Sequence, residues 1–208
     1  VAERLSDKSA DLAAAALRHG LALKLDGIAK AAKKAIETGP IAVARAGVEV
    51  IASLDPADAI TRWKPRESSG LSPEVWLDLY LALQSSTDES AKALTTAFAA
   101  SALDAVPRLS VAGGDPKKGE IVFRNQGGCM QCHQMGKDGG IQGPPLTIVG
   151  ERLPPEKLVE SLVNPNAEIA KRYGLSSITM NDGNVAVGRI AEETKDTLSL
   201  VGVDGKSV

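Results

Sequence analysis

Five consecutive residues hold most of the chemistry open to this chain: Cys129-Met130-Gln131-Cys132-His133. They include both cysteines and one of the two histidines. Cys-x-x-Cys-His is the attachment pattern of a c-type haem. Two thiols one helical turn apart can add to the two vinyl groups on one edge of a haem. The next imidazole then points under the ring, where His133 can bind the iron.

Other chemistries use the same atoms. Tetrahedral zinc needs four ligands, so it would consume both cysteines and both histidines, including the distant His19. A thioredoxin-like pair wants a βαβ context. Here the residues before Cys129 read as helix and then Asn125-Gln126-Gly127-Gly128. A structural disulfide or two inert buried thiols is the remaining reading. His19, at a helix end beside Arg18, reads as a capping or solvated residue.

Composition bounds what surrounds the motif. The chain has 208 residues, 43% hydrophobic and 24% charged, as in ordinary globular proteins. This excludes a disordered chain, and no apolar run is long enough to span a bilayer. Aromatic residues make up only 3%. The core must therefore be filled by Ala, Leu, Val and Ile, or by something that is not protein. The net charge of −2 removes a general nucleic-acid-binding reading, which needs a basic face. Val1 is not an initiator Met, and no secretory signal pattern comes after it. The chain reads as a piece of a longer protein.

The elements that must position the motif divide near residue 112. Residues 1–111 read as a helical domain. Ser6 or Ser9 caps a first helix that ends at His19, with Gly20 as its stop. Further helices are expected over 21–37, 41–53, from Pro56, from Pro73, and over 88–105. Apolar residues recur there at three- and four-residue spacing, as in Ala93, Leu94, Ala97, Phe98 and Leu103. Helix pairs with short connections suggest a HEAT-like solenoid, although no clean repeat period is visible; an irregular bundle is the alternative. Residues 110–115 form the linker, and Asp115-Pro116 opens a helix over 116–125. A second short helix starts at Pro154-Pro155 and stops at Asn164-Pro165. Residues 175–203 then alternate like strands, with Asn181-Asp182-Gly183 as a hairpin turn.

Gly119, Phe123, Cys129, Cys132, His133, Gly143, Pro144 and Leu146 together resemble a class I cytochrome c. Later features narrow the resemblance: Ile169-Ala170, Tyr173, and Asp182-Gly183 with Gly188. They look like the haem-binding cytochrome c domain found chiefly in planctomycete and verrucomicrobial proteins, in which HEAT-like helices often come first. The resemblance covers about residues 113–208, within a cytochrome c domain over 112–208, and implies a mainly α chain, with the β segment 175–203 as an insertion. The chain stops at Val208, before that family's Met-Pro distal segment and closing helix.

The resemblance implies further roles. The Pro144 carbonyl should accept a hydrogen bond from His133 Nδ1, Leu146 should pack on the haem, and Arg152 should meet a propionate. Met180 is the one methionine placed to offer a sixth ligand, but a hairpin-tip residue of a small β core is the competing reading. The implied function is single-electron transfer, as a module of a larger periplasmic or otherwise extracytoplasmic redox protein. Its partner would be a redox protein or a fused dehydrogenase. Two alternatives stand: a haem enzyme or gas sensor with an open distal site, and a helical scaffold with a tethered haem domain.

Overall fold

The computed structural model describes residues 4–5, 7–63, 71–102, 105–202 and 206–207. Ser6, Leu103 and Val203 lie outside the described residues. The chain is mainly helical with a small antiparallel sheet. It divides into two compact units, Val1–Gly114 and Asp115–Val208. The division falls slightly beyond the expected 111/112 junction.

Helix α1 (Ala10–Ala22) starts where Ser9 accepts the Leu12 amide at 3.4 Å. It does not stop at Gly20. Gly20 is buried inside the helix, and Lys24 takes the left-handed position instead, with φ 51°. The Lys24 amide donates to Leu21 O and the Leu25 amide to Gly20 O, both at 3.0 Å. This pair of bonds closes a helix end in the usual left-handed way, with lysine where glycine is common. Residues 21–27 therefore finish α1 and turn, and α2 runs only over Ile28–Thr38.

Helix α3 (Ile41–Leu54) is the central helix of this unit. Ala46, Val48, Val50, Ile51 and Ala52 are all at most 1% exposed, so nearly every face is covered. Each of the larger ones contributes about 1.5–3 kcal/mol by burial. α2 and α3 meet almost backbone to backbone: a Cβ on Gly47 would stand 2.9 Å from Ala32 O. α4 (Pro56–Trp63) and α5 (Trp76–Gln84, preceded by a 3₁₀ turn at Pro73–Val75) also pack on α3. α6 (Glu89–Ser101) is capped by Asp88, and a short α7 (Ala105–Arg108) comes next. Trp63, Tyr80 and Phe98 cluster between α4, α5 and α6, with Trp63 and Phe98 edge to face at 5.0 Å.

Arg45 ties down the end of this unit. Its Nη1 donates to Gly114 O at 2.6 Å and its Nη2 to Glu74 O at 3.3 Å. Its Nε lies 3.3 Å from the Asp78 carboxylate. Beside it, Arg18 meets Glu49 through two bonds of 2.6 and 2.8 Å.

The second unit is built differently. α8 (Pro116–Ile121) is capped by Asp115 and continues into a π-helical turn at Val122–Gln126. β1 (Gln134–Met135) and β2 (Asp138–Gly139) form a minute hairpin that the sequence pattern did not lead us to expect. α9 (Val149–Arg152) and α10 (Pro155–Val163) come next. β3 (Leu175–Thr179), β4 (Val185–Glu193) and β5 (Leu198–Val201) make one antiparallel sheet in that order. Gly183, at φ 85°, turns the β3–β4 hairpin, and Asp182 accepts the Asn184 amide at 3.0 Å. Among the described residues of this unit, Leu200 is the one buried hydrophobic side chain. Ile121, Val122, Ile141, Ile148, Leu162 and Ile169 are all exposed, Leu162 at 81%.

Candidate cofactor site

The site begins with the helix that leads into it. The π-helical turn ends where the Gly127 amide donates to Val122 O at 2.7 Å. Such turns add a residue to a helix and so rotate the downstream chain about the helix axis. Gly128, at φ 64°, then reverses the chain. Cys129–Gln131 form a single 3₁₀ turn. The amides of Cys132 and His133 both donate to Cys129 O, at 3.2 and 2.9 Å. One turn thus carries both thiols and the imidazole. Cys129 is half-buried, Cys132 is exposed, and both are free thiols. Arg124 donates to Glu120 at 2.8 Å and reaches the Met130 sulfur at 3.7 Å.

A strap then folds back over this turn. It starts with the β1–β2 hairpin, whose tip is Gly136 at φ 65°. Gly139 lies so close that a Cβ there would overlap His133 O, and one on Gly140 would overlap Gln131 O. The Gly140 amide donates to Met130 O at 2.8 Å and the Gly143 amide to Cys132 O at 2.7 Å. Past the prolines, the Leu146 amide donates to Gln134 O at 2.8 Å. Thr147 Oγ1 accepts the Gly136 amide at 2.8 Å.

Between these fastenings, Pro144 O lies 2.8 Å from His133 Nδ1. A carbonyl only accepts, so the proton must sit on Nδ1. Nε2 is then the nitrogen with the free lone pair, and no protein group is bonded to it among the described residues. That tautomer leaves Nε2 able to ligate a metal.

Arg152 lies against the strap. Its Nη2 donates to Pro145 O at 3.0 Å, so it holds the strap itself. Leu146 is half-buried within the strap. Met180 is 43% exposed and sits at the end of β3, where its amide donates to Asn184 O at 2.8 Å. The geometry thus brings Cys129, Cys132, His133, Pro144, Leu146 and Arg152 into one local arrangement and leaves Met180 in the hairpin turn. Thr147 and the small hairpin were not anticipated from the sequence. The run Gly136-Lys137-Asp138-Gly139-Gly140 was the available signal for the hairpin.

The residues present fit a haem. The donor set is two free thiols and one imidazole in the correct tautomer. A group with one protein nitrogen on its metal does not need a ligand cluster, and among the described residues no three of His, Cys, Asp and Glu are placed to hold one metal ion between them. A structural zinc site does need such a cluster. Among the described residues of the unit, apolar side chains other than Leu200 are not buried, which suits a large apolar cofactor. No protein-family model matches the chain, and no curated protein matches it.

Proposed function

We propose that the unit Asp115–Val208 is a c-type cytochrome domain that transfers single electrons. The observation that carries this reading is the 2.8 Å contact from His133 Nδ1 to Pro144 O, within the same turn as two free thiols. Cys129 and Cys132 hold the haem through thioether bonds. His133 Nε2 is its protein ligand. The bound haem supplies a one-electron couple between ferric and ferrous iron. The strap orients the imidazole through Nδ1, so that Nε2 would face the iron. Ile121, Val122, Ile148 and Leu162 are exposed apolar side chains of the same unit that a bound haem would be able to cover, and Leu146 would pack on it by resemblance. We place the protein outside the cytoplasm, where thioether attachment and a bare Cys-x-x-Cys pair are at home by resemblance. No described helix is long and apolar enough to cross a membrane. The helical unit is read as HEAT-like and as a scaffold for a redox partner or a fused dehydrogenase.

The test is an absorption spectrum of protein matured in a haem-competent periplasm, oxidised and then reduced, with and without CO. A c-type spectrum whose haem stays with the chain after acid–acetone extraction supports the reading. A CO-induced shift in the reduced protein favours the gas-binding alternative. Absence of haem absorption overturns the cytochrome reading and returns the thiols to metal or dithiol chemistry.

A further inference from the structure

The strap that carries Pro144 O is fastened by two kinds of bond. Three are backbone to backbone: Gly140 to Met130 O, Gly143 to Cys132 O, and Leu146 to Gln134 O. Two are made by side chains. Thr147 Oγ1 accepts the Gly136 amide at 2.8 Å, which pins the tip of the β1–β2 hairpin to the far end of the strap. Arg152 Nη2 donates to Pro145 O at 3.0 Å, one residue beyond the carbonyl that faces His133.

We propose that Thr147 and Arg152 are positioning residues for His133. They act through the strap, by holding Pro144 O against Nδ1. The spacing supports this. The strap turns between Gly143 and Leu146, and two consecutive prolines stiffen its middle. Pro144 and Pro145 have no N–H, so no backbone amide of their own can anchor that stretch. Only carbonyl-directed bonds can, and Arg152 makes one. Among the described residues the β1–β2 hairpin pairs with no further strand; the Leu146 amide fastens its base at Gln134 O, and the Thr147 hydroxyl fastens its tip. The polarisation of Nδ1–H by Pro144 O sets how strongly Nε2 donates. Two exposed polar side chains therefore tune the imidazole without touching it. The consequence for a bound haem rests on the cytochrome reading; the effect on the imidazole does not.

The test is the solvent-exchange rate of the His133 Nδ1 proton, read by ¹⁵N-edited NMR on the purified full chain. Thr147→Val keeps the shape and removes the acceptor. Arg152→Leu keeps an aliphatic stem and removes the donor. Each should speed exchange about fivefold, the usual worth of one net hydrogen bond. Thr147→Ser should return the rate to that of the unmodified chain. Amides of the β3–β4 ladder should exchange at unchanged rates in all variants. In haem-loaded protein, Thr147→Val and Arg152→Leu should both raise the reduction potential, because a less polarised imidazole stabilises ferric iron less. An unchanged Nδ1 rate in Thr147→Val and Arg152→Leu overturns the proposal. So does a Thr147→Ser rate as fast as Thr147→Val, or an equal acceleration of the sheet amides. Absence of haem absorption would instead sink the cytochrome reading, and the exchange ratios would still decide the role of the two fasteners.

Discussion

Gly143 lies flat against the imidazole of His133: a Cβ at position 143 would stand 2.6 Å from Cε1 and 2.7 Å from Nδ1. Neither distance is compatible with a real side chain. The ring and the strap are thus packed with no room for one methyl group. Gly143→Ala must push the ring away or lift the strap off Pro144's contact. The expected cost is about 1–3 kcal/mol, typical of overpacking. Urea unfolding of the variant, monitored by circular dichroism, measures it.

The thiols and the imidazole should separate into distinct failures. Cys129→Ala or Cys132→Ala should leave one thioether, and mass spectrometry should still find haem on the chain. The double variant should carry no covalent haem. His133→Ala should keep both thioethers and lose the low-spin spectrum that an imidazole ligand supports. Covalent haem on the double variant would refute this assignment.

Arg45 closes the first unit by gripping Gly114 O and Glu74 O while pairing with Asp78. Arg45→Met removes all three contacts and leaves the Asp78 carboxylate without its cation. The loss should be about 2–3 kcal/mol, less than for a fully buried pair, because the two side chains keep 21% and 23% exposure. Thermal unfolding of the full chain checks the size. Limited proteolysis should also show faster cleavage near Gly114.

Asp78 gives a pH signature. Burial pushes its carboxyl above the ordinary value of 3.8; Arg45 opposes this, and Glu49 adds to it. The Arg45 Nε and Asp78 Oδ2 meet as an ion pair without hydrogen-bond alignment, so their attraction does not offset the burial. The folded state therefore binds a proton more tightly than the unfolded state does. This contribution to stability is present below the unfolded pKa and is lost as pH rises through the raised one. Asp78→Asn cannot titrate. The stability difference between the unmodified chain and Asp78→Asn should shift toward the variant as pH rises across that window. A difference flat with pH would contradict the shift.

Local chemistry was legible along the chain. Ser9, Asp88 and Asp115 announce helix starts because a short polar side chain can satisfy amides two or three residues ahead. The alternation in 175–203, with Asn181-Asp182-Gly183 between two runs, announces the β3–β4 hairpin for the same local reason. The Cys-x-x-Cys-His spacing is closed by a single turn, so the juxtaposition of Cys129, Cys132 and His133 needs no distant contact.

Other features depend on chain brought from elsewhere or on competition between neighbours. Gly20 reads as a helix stop, yet burial of its small face keeps it inside α1, and Lys24 takes the left-handed strain instead. Arg152 reads by resemblance as the partner of a propionate, and only the folded strap brings Pro145 O within its reach. Thr147 carries no signal until Gly136 returns beside it. Arg45 and Gly114 are 69 positions apart. No periodicity or local motif encodes a bond whose two ends meet only after α3 and α5 have packed. Turns and caps are set by the few residues that form them. Partners across the fold are set by packing, because a side chain's nearest polar group is chosen by whatever the hydrophobic core has already carried to its side.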